Sequence, residues 1–291
     1  MKKVLVALDL TKHDEYILSA CKDLVYDKLK YRDLSFISVV NDLVHPNREI
    51  HQILELKTPD KSLDKKIKNL IKRKTEKYFS DVSLESNIHV IEGKAYKSLI
   101  HWAEIKDVDL VVVGTKEKSE HSGITAKRLA HNLNTNMLFV PESQSSAIKH
   151  ILVPVDFSDN SFDALLVATS IAKKDSSVKI TVLNVIDTTP GNLFLSPYYS
   201  EYFEMISENT KNSMQKFMEP IDLPDSQLNP IILNQPLTSI ASSIYNYSKN
   251  NKFDLIIMGA QNHNRFRNLL LGSVTEHLIY QNPTTSLMII R

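Results

Sequence analysis

The chain has 291 residues, 42% of them hydrophobic and 24% charged, and a formal net charge of +1. That length suits two ordinary domains, and so even a charge balance supplies no field for capturing nucleic acid or an anionic membrane. A single cysteine, Cys21, excludes an internal disulfide framework and a cysteine-built zinc site.

The chain opens with Lys2-Lys3-Val4-Leu5-Val6-Ala7-Leu8-Asp9-Leu10-Thr11, which reads as a short buried strand ending at an aspartate. Its apolar run is too short for a secretory leader, and no later run approaches the length of a membrane span. A cytoplasmic protein with no nucleic-acid or membrane partner is therefore expected. Cys21 falls in a helix-like stretch, as a small core residue. A lysine-rich helix over 61–79 follows, its cations forming a solvated outer face. Asp109-Leu110-Val111-Val112-Val113-Gly114 is another apolar strand, and Met137-Leu138-Phe139-Val140 closes the first half. Pro141-Glu142-Ser143-Gln144-Ser145-Ser146 has linker composition.

The opening pattern then recurs as Lys149-His150-Ile151-Leu152-Val153-Pro154-Val155-Asp156-Phe157-Ser158, at an offset of 147 positions from Asp9 to Asp156. The strand ending at Gly114 recurs as Asp254-Leu255-Ile256-Ile257-Met258-Gly259, and Ser286-Leu287-Met288-Ile289-Ile290 answers the strand that closed the first half. In the second half, strands are expected at 151–155, 180–185, 230–233, 255–258 and 286–290. Helices should begin near Ser161, Glu201, Thr238 and Ser273. Nearly continuous apolar strands alternating with helices describe a parallel sheet covered on both faces. The expected fold is α/β: two tandem, doubly wound, parallel five-stranded sheets of Rossmann-like type, over 1–142 and 147–291.

In such a sheet a ligand lies at the carboxyl ends of the strands, where the strand order reverses. Only six glycines occur, and Gly114, Gly123, Gly259 and Gly272 all fall between the fourth strand and the last helix of a half. Glycine allows backbone N–H groups to approach a phosphate closely. Ser273-Val274-Thr275-Glu276 has the form of a capping box, so a helix N-terminus and its positive dipole end face the loop that follows Gly259.

These residues resemble the universal stress protein family, specifically its tandem, UspA-like members, whose fold belongs with the adenine nucleotide alpha hydrolases. The family's loop runs glycine, two residues, glycine, nine residues, glycine, then serine or threonine. Here it runs Gly259, two residues, Asn262, nine residues, Gly272, Ser273. Asparagine takes a left-handed backbone more readily than other non-glycine residues. The resemblance implies a stress-response protein that binds ATP, alone or with Mg2+. Asp156 and Val185 would contact the adenine side, with Pro154 and Val155 next to them in the site, and Gly259, Asn262, Gly272, Ser273 and Val274 would surround ribose and phosphates, with Met258 beside them. It implies no metal site of the protein's own and no catalytic residue.

The first half departs from the pattern. Its loop from Gly114 to Gly123 is four positions shorter, Ile124 stands where Ser273 stands in the second half, and Glu117 and Glu120 would repel phosphates. Asp9 and Val40 persist as counterparts of Asp156 and Val185. The leading reading is a nucleotide-binding regulatory protein with its ligand in the second half. HExxH, GxSxG and Walker lysine motifs are absent, and Arg265 and Arg267 lack the fixed spacing of a P-loop. Neither first strand is followed by the Ser-Gly-Gly-x-Asp loop or His-x-Gly-His motif of the enzymes sharing this fold. A slow ATPase or another adenine-nucleotide enzyme of the same fold, and a ligand-free scaffold, remain as alternatives. The aromatic segment 191–203 is either a lid, a contact surface or internal packing. The last strand of each half could pair edge to edge as an intramolecular pseudo-dimer, with a homodimer as a further assembly.

Overall fold

A computed structural model describes residues 2–43, 48–54, 62–80, 87–115, 124–142, 147–186, 199–234, 239–260, 271–281 and 284–291. The chain divides into two compact units, with the boundary between Ala147 and Ile148. The first unit runs β1 (Lys3–Ala7), α1 (Asp14–Ala20), β2 (Asp33–Val40), α2 (Arg48–Ile53), α3 (Leu63–Glu76), β3 (Ile88–Glu92), α4 (Ala95–Lys106), β4 (Leu110–Thr115), α5 (Ile124–Asn132) and β5 (Asn136–Pro141). Its strand order is β3-β2-β1-β4-β5, with each of these neighbours parallel. α1 continues through Cys21–Lys28 as wider π-type turns, visible in the bond from the Leu29 amide to the Leu24 carbonyl at 2.8 Å.

The second unit runs β6 (His150–Pro154), α6 (Asp159–Ala172), β7 (Lys179–Ile186), α7 (Tyr199–Met218), β8 (Leu228–Asn234), α8 (Ile240–Asn250), β9 (Leu255–Gly259), α9 (Ser273–Gln281) and β10 (Ser286–Ile290). Its order, β10-β9-β6-β7-β8, repeats that of the first unit. Parallel strands need crossover helices on the sheet faces, so the central strands are enclosed from both sides. Val4 to Val6, Leu110 to Val112, Ile151 to Val153 and Leu255 to Ile257 are all essentially inaccessible. The strand order reverses between β1 and β4 and again between β6 and β9, which leaves a crevice at the carboxyl end of each pair.

Two details of the repeat go deeper than sequence. The residue after the strand-end aspartate is left-handed in both units, Leu10 at φ 70° and Phe157 at φ 64°, an uncommon conformation for side chains of this size. Asp9 and Asp156 hold these turns by accepting from the Thr11 and Ser158 amides at 3.0 and 3.1 Å. Each unit then braces the turn differently. In the first, Lys74 of α3 donates to the Leu10 and Thr11 carbonyls at 3.0 and 2.7 Å and to Asp14 Oδ2 at 2.7 Å. In the second, Phe217 of α7 packs edge-on against Phe157 and Phe162 at 5.5 and 5.4 Å between ring centres.

Some expectations change. The lysine-rich helix occupies Leu63–Glu76 within the expected 61–79, burying Leu63, Ile67, Ile71 and Thr75. Lys65, Lys66, Lys68 and Arg73 are exposed as expected, but Lys74 is turned inward. Cys21 is fully buried, and burial pushes its thiol up. The helices expected near Ser161, Glu201 and Thr238 begin at Asp159, Tyr199 and Ile240, because Ser158 and Ser239 cap two of them by accepting from the amides of Ser161 and Ser242. Of the aromatic segment, 191–198 lies outside the described residues and the rest begins α7.

Candidate functional site

A cavity of about 290 Å³ opens in the second unit at the carboxyl ends of β6, β7 and β9 and the start of α9. Of the residues expected from sequence it brings together Pro154, Val155, Asp156, Val185, Met258, Gly259, Ser273 and Val274. Gly272 adjoins them as the residue before α9, and Asn262 lies outside the described residues, as do Arg265 and Arg267.

The cavity has two chemically distinct parts. Val155, Leu183, Val185, Ile240, Ile244 and Met258 give it an apolar floor, with Val155, Leu183, Ile244 and Met258 buried. At the other part stands the N-terminus of α9. The first bond of that helix runs from the Glu276 amide to the Gly272 carbonyl at 2.9 Å. Gly272 thus occupies the cap position and Ser273 is the first helical residue, one position later in the motif than the capping box assumed. The amides of Ser273, Val274 and Thr275 have no upstream helical carbonyl to bond, so they present donors and the positive dipole end. Thr275 Oγ1 reaches the Gly259 carbonyl at 3.4 Å and ties this turn to the end of β9.

Gly259 has a packing role that its sequence position did not disclose. A Cβ there would stand 2.6 Å from the carbonyl carbon and oxygen of Asn160, at the start of α6. Asn160 in turn donates from Nδ2 to the Ala260 carbonyl at 2.7 Å. The missing side chain therefore lets α6 close against β9, and this contact shapes the cavity wall.

Asp156 is the cavity's titratable lining residue among those described. Burial would raise its pKa, but hydrogen bonds from the Ser158 hydroxyl and amide outweigh that and hold the carboxyl below the usual range. A carboxylate held this way is a weak proton acceptor, suited to fixing a ligand more than to activating water.

The corresponding crevice of the first unit is smaller, about 190 Å³, and lined in part by Asp9, His13, Val39, Gly114 and Thr125. His13 takes the place of Asn160. Its imidazole is 3% exposed, bonds the Val140 carbonyl at 2.9 Å and lies so close to Gly114 that a Cβ there would meet it at 2.5 Å. Asp14, in the place of Ser161, accepts from the Asp9 amide at 3.0 Å and pairs with Lys74. Burial raises Asp14 to about 6 in spite of Lys74. Strand register also corrects one counterpart: Ile37 lies opposite Ala7 as Leu183 lies opposite Pro154, so Val39, not Val40, answers Val185. The first-half loop containing Glu117, Glu120 and Gly123 is outside the described residues, while α5 begins at Ile124.

Sequence reasoning passed over four residues that shape these crevices: His13, Lys74, Asn160 and Asn184. Asn184 carried a signal, being the polar residue deep in the otherwise apolar end of β7. No group of three or more metal-ligating side chains is present among the described residues. None of the described helices is long and apolar enough to cross a membrane.

The model of the universal stress protein family matches residues 1–141, 147–217 and 232–291. A curated relative, the universal stress protein MJ0531 of Methanocaldococcus jannaschii, is 30% identical over 132 residues, which is 45% of this chain and 75% of the relative. Among solved structures, a universal stress protein from Archaeoglobus fulgidus aligns over 99% of this chain and 98% of its own, at 14% identity and a TM-score of 0.56. The Pseudomonas aeruginosa protein PA1789 aligns over 100% and 92%, at 11% identity and a TM-score of 0.66. These two likenesses concern the fold.

Proposed function

Because the chain belongs to the universal stress protein family, we propose that it is an ATP-binding regulatory protein of the stress response that holds its nucleotide in the second unit. The observation that carries this reading is the pairing, in one cavity, of an apolar floor with the N-terminus of α9. A purine needs flat apolar walls and a few polar groups for orientation. A triphosphate needs N–H donors and a positive dipole end, with glycine where the backbone must come close. In this reading Pro154, Val155, Asp156 and Val185 lie on the adenine side. Gly259, Asn262, Gly272, Ser273 and Val274 surround the ribose and phosphates, with Met258 beside them and Mg2+ as an accompanying counter-ion.

The first unit is read as structural. His13 takes up part of its crevice, and Ile124 opens its last helix where the second unit has Ser273. Occupancy of the second unit then acts by binding the folded form, and Asp156, on the adenine side, is out of place as a general base for water attacking the phosphates. The test is the nucleotide content of the purified chain. Heat-released supernatant is expected to contain adenine nucleotide, and added ATP is expected to raise the melting temperature of nucleotide-stripped protein. Absence of both effects would favour the ligand-free scaffold, and sustained ADP release would favour the slow ATPase.

A further inference from the structure

Resting on the reading of the second cavity as an adenine-nucleotide site, we propose that Asn184 selects the base, its Oδ1 accepting a hydrogen bond from the 6-amino group of adenine. Asn184 is 8% exposed near the end of β7 and lines the cavity beside Val155 and Val185. Its Nδ2 donates to the Val155 carbonyl at 2.8 Å. A carbonyl oxygen only accepts, so the nitrogen must be the atom facing Val155, and the orientation of the carboxamide is fixed.

That leaves Oδ1 with no hydrogen bond from the described residues and not fully enclosed, so it is open to a ligand beside the apolar Leu183 and Val185. Such an acceptor favours a ligand that brings its own donor, because one that covers it without a donor strips its water and leaves it unpaired. The exocyclic amine of adenine is such a donor. Guanine and hypoxanthine carry a carbonyl oxygen at the same ring position, which would set two acceptors against each other. Rejection of the wrong base then follows from an unpaired polar group and needs no steric clash. The first unit lacks this device. Strand register makes Ser38 the first unit's equivalent of Asn184, and Ser38 is shorter, buried and not part of its crevice wall.

The experiment compares the affinities of the full chain for ATP, purine riboside triphosphate, which has hydrogen in place of the amino group, and inosine triphosphate, by isothermal titration. Wild-type protein is expected to bind purine riboside triphosphate about tenfold more weakly than ATP, and inosine triphosphate more weakly again. Asn184→Leu is expected to weaken ATP and bring the ratio of ATP to purine riboside triphosphate within about twofold. Circular dichroism and melting establish that the variant is folded. Should it not fold, Asn184→Val, the residue type found at its neighbours Val182 and Val185 on β7, takes its place in the comparison. Equal wild-type affinity for ATP and purine riboside triphosphate would overturn the role of Asn184 and leave the ATP site standing. Discrimination that survives in folded Asn184→Leu would overturn it as well. Absence of binding by every nucleotide would remove the ATP reading and this inference together.

Discussion

Replacing Gly259 by alanine tests how closely α6 approaches the end of β9. The new Cβ would stand 2.6 Å from the Asn160 carbonyl carbon and oxygen and 2.8 Å from its Cβ. Two of these atoms are backbone at the start of a helix, so relief requires moving α6 and not merely turning a side chain. Overpacking of this kind costs about 1–3 kcal/mol. For a domain of this size that corresponds to a fall in melting temperature of roughly 2–4 °C per kcal/mol. The displacement also breaks the geometry of the bond from Asn160 to Ala260 and alters the cavity wall, so ATP affinity should fall with stability. Urea denaturation measures the first effect and titration calorimetry the second. Gly114→Ala is the control: its Cβ meets the His13 ring in the other crevice, so it should destabilise the fold and leave ATP affinity unchanged. A Gly259→Ala protein with wild-type denaturation midpoint and wild-type ATP affinity would refute the reasoning.

Three further outcomes are expected. Asp14 titrates near 6 in the folded chain against 3.8 unfolded, so the folded state holds this proton more tightly. The group's contribution to stability is therefore full below about pH 4 and falls by about 3 kcal/mol as pH rises to about 6. The difference in urea stability between wild type and Asp14→Asn should follow that curve, and a flat difference from pH 4 to 7 would contradict it. Ser158→Ala removes both the helix cap and the hydroxyl bond to Asp156, so it should cost about 1 kcal/mol and raise the Asp156 pKa in a carbon-13 NMR titration. Asp156 lies below its unfolded value, so its stabilising contribution is present at neutral pH and is lost as pH falls through the folded pKa. Cys21 should react with a thiol reagent only as fast as the chain unfolds, since it is fully buried and its thiol is pushed up. Prompt modification of the native protein would place it elsewhere.

The repeat and its strands were legible because strands buried on both faces leave nearly continuous apolar runs, which an offset comparison detects. Gly259 was legible as a position but not in its cause: the close approach of Asn160 comes from another strand-helix unit about a hundred residues away. The single-residue slip from Val39 to Val40 arose because the offset drifts from 147 at β1 to 146 at β2, which only the pairing with β1 and β6 reveals. Lys74 could not be told from its exposed neighbours, since composition does not say which lysine of a basic helix meets the Leu10 turn. Asn184 was visible as a polar residue in an apolar strand, but its meaning rests on the bond to Val155, which sequence does not display.

The most direct test of the account is the stoichiometry of ATP binding, by equilibrium dialysis, in wild type and in two charge variants. Ser273→Glu puts a carboxylate at the first turn of α9, where it suits the helix dipole but opposes phosphate, and Thr125→Glu does the same in the first unit. The account predicts about one ATP per chain for wild type and Thr125→Glu, as for a single site, and none for Ser273→Glu. Binding that survives Ser273→Glu and is lost in Thr125→Glu would contradict it.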